Sequence, residues 1–108
     1  MSDNRREYYR INYPLDEQPL LFVGTARYRV RDCSERGLSF MSKGTEGFAP
    51  GAELAGTMEF ATGERAEVAG HVVRVFDDVV AVELSRRHLS FGIILAEQRR
   101  LHSQRRLT

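Results

Sequence analysis

The strongest constraint on this fold is its punctuation: the chain is cut into short strand-like runs, each ended by a turn signal, until a single helical segment closes it. The runs are Pro19 to Gly24, Ala26 to Cys33, Leu38 to Ser42, Glu53 to Phe60, Glu64 to Phe76 and Val79 to Leu84. Gly24, Arg36-Gly37, Pro50-Gly51, Thr62-Gly63 and Asp77-Asp78 separate them, residue types that tolerate or preset turn conformations. Leu54, Gly56, Met58 and Phe60 share one side of their run, and Val80, Val82 and Leu84 share one side of theirs, which is the two-residue period of a half-buried strand. From Phe91 the period changes. Ile94, Leu95, Gln98 and Leu101 fall on one helical stripe, while Glu97, Arg99, Arg100, Arg105 and Arg106 form the polar remainder. Short strands followed by one helix predict a mainly β fold: a small six-stranded antiparallel β-barrel over 19–84 with a C-terminal α-helix over 91–106. Residues 1–12, polar and charged, are expected to be a flexible N-terminal arm. The 108 residues amount to a single domain with no room for a catalytic second one.

One run carries an irregularity. Tyr28 and Val30 alternate with Arg27, Arg29 and Arg31, which fixes an inward and an outward face, and Cys33 then breaks the parity. If Val30 and Cys33 both point inward, a β-bulge must absorb an extra residue. A bulge at Asp32 would aim its carboxylate at solvent; strand termination at Asp32 is the alternative.

Charge narrows the function. The net charge is +1, with fifteen arginines against the single Lys43, so there is no basic field of the kind wholesale nucleic-acid binding uses. Positive charge is local, in the first ten residues, at Arg27, Arg29 and Arg31, and from Arg99 to Arg106. One cysteine, Cys33, can form no internal disulfide and has no metal-site spacing, which fits a reducing cytoplasm. His71, His88 and His102 stand in no metal-binding or triad arrangement, no phosphate-cradling glycine loop is present, and Asp77-Asp78 reads as a hairpin turn. No metal and no catalytic residue is expected, and no apolar run is long enough for membrane insertion.

Two short segments remain: Arg5-Arg6-Glu7-Tyr8-Tyr9-Arg10, and Asp32-Cys33-Ser34-Glu35-Arg36-Gly37. An RxxxR pair (Arg6, Arg10) followed by DxSxxG (Asp32, Ser34, Gly37) resembles the PilZ family. The resemblance runs over about residues 5 to 107, through Gly37-Leu38-Ser39-Phe40, Pro50-Gly51, Val72-Val73-Arg74-Val75 and the closing helix. It implies a non-enzymatic receptor for cyclic diguanylate (cyclic di-GMP), whose two motifs close around the ligand. It further implies an effector protein as partner, in control of motility, pili, exopolysaccharide or virulence. An arginine at the Arg5 position goes, in that family, with two intercalated ligand molecules per chain.

The chemistry suits such a ligand. A guanidinium fork pairs bidentately with phosphate, addresses the guanine O6/N7 edge and stacks on purines. The Asp32 carboxylate accepts from the N1 and N2 donors of guanine. Ser34 offers a hydroxyl, and Gly37 is expected to supply positive φ and close backbone approach. Two other readings use the same residues. A single-stranded nucleic-acid-binding barrel would stack bases on Tyr8, Tyr9 and Tyr28, and a ligand-independent adaptor would use the barrel surface alone.

Overall fold

The computed structural model describes residues 9–43 and 47–107, the last four of these as backbone only. Seven strands and one helix follow in order: β1 (Ile11–Asn12), β2 (Leu20–Val23), β3 (Ala26–Cys33), β4 (Gly37–Met41), β5 (Glu53–Glu59), β6 (Arg65–Phe76), β7 (Val79–Arg87) and α1 (Phe91–Leu107). A short 3-10 turn, Leu15–Glu17, lies between β1 and β2.

The sheet order β1-β3-β2-β5-β6-β7-β4 closes on itself because β4 also pairs with β3. Six strands, β2 to β7, therefore form a closed antiparallel barrel, and closure leaves none of them an unpaired edge. Inward residues fill it. Leu21, Val30, Phe40, Leu54, Met58, Phe60, Val68, Val72, Val80, Val82 and Leu84 are buried, which includes the whole expected inward face of β7 and that of the β5 run except Gly56, which is half-buried. Closing so small a barrel needs sharp coiling, which β6 supplies with register shifts between Ala69/His71 and Val72/Arg74. Gly70 sits at the first shift, where an added Cβ would lie 1.8 Å from the Glu83 carbonyl oxygen. No other residue type fits that crossing.

Two expectations are corrected here. The segment assigned to a flexible arm over 1–12 includes an ordered strand: Ile11 and Asn12 pair with Cys33 and Asp32, and Ile11 is buried. The predicted bulge exists one residue earlier than expected. β3 pairs Val30 with Phe40 and Asp32 with Ser39, so Arg31 is the extra residue. Its freed carbonyl accepts the Tyr13 N–H at 3.0 Å. The bulge thus turns β3's backbone from β4 toward the N-terminal segment.

The helix packs with a face slightly different from the expected one. Ser90 caps its start, its hydroxyl accepting the Ile93 N–H at 3.1 Å. Ile94 and Glu97 are buried and Leu101 is half-buried, while Gln98 is exposed. Glu97, read from sequence as part of the polar face, is instead the center of a buried cluster. Tyr13 donates to its Oε1 at 2.6 Å, and Arg100 donates to Oε2 at 3.0 Å and to Oε1 at 3.2 Å. Arg100 also reaches Glu17 at 2.6 Å. A buried carboxylate is tolerated because it is paired and multiply hydrogen-bonded. This cluster holds α1 to β1 and the 3-10 turn.

Candidate functional site

The segment Asp32 to Gly37 forms the tight connection from β3 to β4, and its backbone is braced on all sides. The Ser34 N–H donates to the Gly37 carbonyl at 2.8 Å. The Leu84 N–H donates to the Arg36 carbonyl at 2.8 Å, and the Leu89 N–H to the Glu35 carbonyl at 3.0 Å. A turn tied in this way to β7 and to the helix entry is preorganised, so a ligand docking there does not have to order it.

Arg10 stands immediately before β1, and β1's pairing with β3 delivers it to this turn. Its guanidinium forms an ion pair with the Asp32 carboxylate across 22 residues of sequence. The partners differ in exposure: the Arg10 side chain is 48% exposed and that of Asp32 11%. The carboxylate is enclosed, while about half of the arginine side chain faces solvent. Ser34 is buried, with its hydroxyl 3.5 Å from the Gly37 carbonyl, a long contact that leaves the hydroxyl open to a better acceptor.

Gly37 meets one of the two demands the sequence suggested, close approach, and not the other, positive φ. Among the described residues the glycines at positive φ are Gly24, Gly47, Gly51 and Gly63, so the turn makes no left-handed demand at Gly37. Space is the demand: an added Cβ would lie 3.3 Å from the Val82 carbonyl oxygen and 3.5 Å from Arg10 Nη2. Glycine lets the guanidinium lie close over the strand.

These residues rim a cleft of about 710 Å³, within the range of about 300–1,000 Å³ usual for small-molecule sites. Arg31, Arg36, Ser39, Arg74, Phe76 and Glu83 also line it. Sequence reasoning passed over them, although parity places Ser39 and Glu83 on the outward side of β4 and β7. Arg74 lies over the Phe76 ring at 5.3 Å, a cation–π contact. Arg10, Asp32, Ser34 and Gly37 are thus brought together; Arg5 and Arg6 lie outside the described residues.

Cys33, between two rim residues, points the other way. It is fully buried, and that burial pushes its thiol up to about 12. Its sulfur lies 3.8 Å from the Tyr13 hydroxyl, which is itself pushed above its ordinary value, mainly by burial. Tyr28, a candidate base-stacking platform, is turned into an aromatic cluster with Phe40 at 4.9 Å and Phe48 at 5.6 Å.

The chain belongs to the PilZ domain family, which it matches over residues 4–99, a span containing all six expected site positions. That family is one of cyclic di-GMP receptor domains. A crystal structure of an uncharacterized Legionella protein shares the fold, with a TM-score of 0.61 over 92% of this chain and 99% of its own, at 12% identity. No curated protein matches the sequence. Among the described residues, no helix is long and apolar enough to cross a membrane.

Proposed function

We propose that this protein is a non-enzymatic cyclic di-GMP receptor that acts as an adaptor, changing its surface on binding and passing that change to an effector protein in motility, pili, exopolysaccharide production or virulence. The observation that carries the reading is the Arg10–Asp32 ion pair at the cleft mouth. It joins two sequence motifs at one point and leaves each partner with an exchangeable bond. On binding, Arg10 moves to a ligand phosphate and Asp32 accepts from the N1 and N2 donors of a guanine, so Arg10 stays paired with an anion and the carboxylate stays hydrogen-bonded. Ser34 adds a hydroxyl contact. Arg6, one RxxxR step before Arg10, supplies a second phosphate clamp.

Arg5 adds a third guanidinium, and with it the site takes two stacked cyclic di-GMP molecules, whose four phosphate charges and stacked purines favour an extra cation. Calorimetric titration with cyclic di-GMP tests both statements. The expected dissociation constant is about 1 μM, roughly −8 kcal/mol, with a molar ratio near two that falls toward one in Arg5→Ala. No heat and no shift in melting temperature would overturn the receptor reading. A ratio of one in both proteins would remove only Arg5 from the site.

A further inference from the structure

The barrel treats its surface arginines in two ways. On β6 and β7 three of them are neutralised across strands, Arg86 with Glu53 at 3.1 Å, Arg87 with Glu67 at 2.8 Å and Arg65 with Glu59 at 3.7 Å, and Arg74 lies over the Phe76 ring. On β3 they are not. Arg27 and Arg29 point outward and are exposed, and among the described residues neither is in an ion pair.

Their strand neighbours on that face are apolar. Arg27 pairs in register with Phe22, and Arg29 lies between Leu20 and Met41. Leu20 and Phe22 are half-buried and Met41 is 40% exposed. Arg27, Arg29, Met41 and Lys43 line a groove of about 580 Å³ in which Asp78 is the one acidic residue. The outward face is therefore cationic at every second position of β3, with apolar side chains beside it on β2 and β4.

We propose that this outer face of β3 and β4 is the docking surface for an acidic, extended segment of a partner protein. Charge complementarity chooses the occupant. In an extended segment every second side chain recurs at about 6.6–6.8 Å, the same repeat as Arg27 and Arg29 along β3, so alternate carboxylates meet successive guanidinium groups in bidentate pairs. The acidic side chains lay their apolar stems over Leu20, Phe22 and Met41, which flank the two arginines in register, while the intervening residues of the segment point away from the barrel. Because β3 is already paired on both sides, the segment cannot add as a strand and its side chains carry the recognition. Tyr28 also lines the groove, but its ring is engaged with Phe40 and Phe48 rather than standing free as the stacking platform that single-stranded nucleic acid uses. The surface does not depend on nucleotide binding, since Arg27 and Arg29 lie outside the cleft.

The test is a titration of the isotopically labelled full chain, followed by amide chemical shifts. The probe is a synthetic peptide of about nine residues with glutamate at every second position and valine between, spanning about 30 Å. Perturbed amides at Leu20, Phe22, Arg27, Arg29 and Met41 are expected, with affinity reduced about tenfold in the Arg27→Ser/Arg29→Ser double variant and unchanged in Arg86→Ser. Three results would overturn the proposal: no binding, binding indifferent to the double variant, or tighter binding of a thymidine oligonucleotide of equal length. Unchanged melting of the double variant shows that loss of binding is not loss of fold.

Discussion

Two arginine–carboxylate contacts bracket the short strand β1, and they are built for opposite ends. At its start Arg10 meets Asp32 with the arginine side chain 48% exposed and the carboxylate 11%. Beyond its end Tyr13 meets Glu97, which Arg100 also holds, and there the arginine is 18% exposed and Glu97 only 5%. The first contact is one ion pair at a cleft mouth. The second is a network of four side chains with no slack. Exposure decides which can be exchanged for a ligand: a half-exposed guanidinium loses little by changing partner, whereas an arginine inside a network leaves a buried charge behind.

The largest expected effect falls on the network. Glu97→Ala strands Arg100 beside Glu17 and leaves the Tyr13 hydroxyl without its acceptor, at a cost of about 3 kcal/mol of folding stability. Denaturant unfolding measures it, and a loss below about 1 kcal/mol would erase the contrast between the two contacts. Arg10→Ala and Asp32→Ala should reverse the pattern, each weakening cyclic di-GMP binding by more than about 2 kcal/mol. Their melting temperatures should fall less than that of Glu97→Ala. Equal losses of stability at both ends of β1 would mean that the cleft pair is structural.

Alkaline pH probes the wall between the two ends. Cys33 ionises in the unfolded chain at its ordinary value near 9 but in the folded protein only at about 12. Its contribution is therefore complete below pH 9 and is lost as pH rises through that window, by at most about 1.4 kcal/mol per pH unit. A melting series on wild type and Cys33→Ala should show the earlier part of this decline only in wild type, with Tyr13 adding a later one in both. The smallest effect is Ser34→Ala, about 1 kcal/mol of binding by calorimetry, because its present contact is long.

This contrast also explains what could be read before any coordinates. Barrel, helix and the meeting of Arg10 with Asp32, Ser34 and Gly37 were legible, because alternation and a paired motif are local signals with fixed spacing. Glu97 was not. It lies three residues after buried Ile94, within the inward stripe, but a carboxylate there reads as solvent-facing unless its partners are known, and Tyr13 is 84 residues away. Two-residue β1 has no period to detect. For Gly37 the expected close approach holds and the expected positive φ does not, and that Arg10 is a group approaching it leaves no trace in sequence. The arginines of β3 and β7 look alike as text, and only strand register shows which of them face carboxylates.

The Tyr13–Glu97 bond has a consequence for how the protein is made. The segment that presents Arg10 leaves the ribosome before the barrel strands, yet the residue that anchors it belongs to α1, which follows all seven strands in the chain. Contacts this distant in sequence form late, because chain closure must precede them. A nascent chain lacking α1 can pair β2 with β3 and β6 with β7, while Ile11 and Tyr13 should exchange their amide protons faster than Val80 and Val82. The rim that Arg10 and Asp32 form at the cleft is thus secured only once synthesis has passed Glu97, so translation order itself keeps an unfinished barrel from presenting a complete cleft.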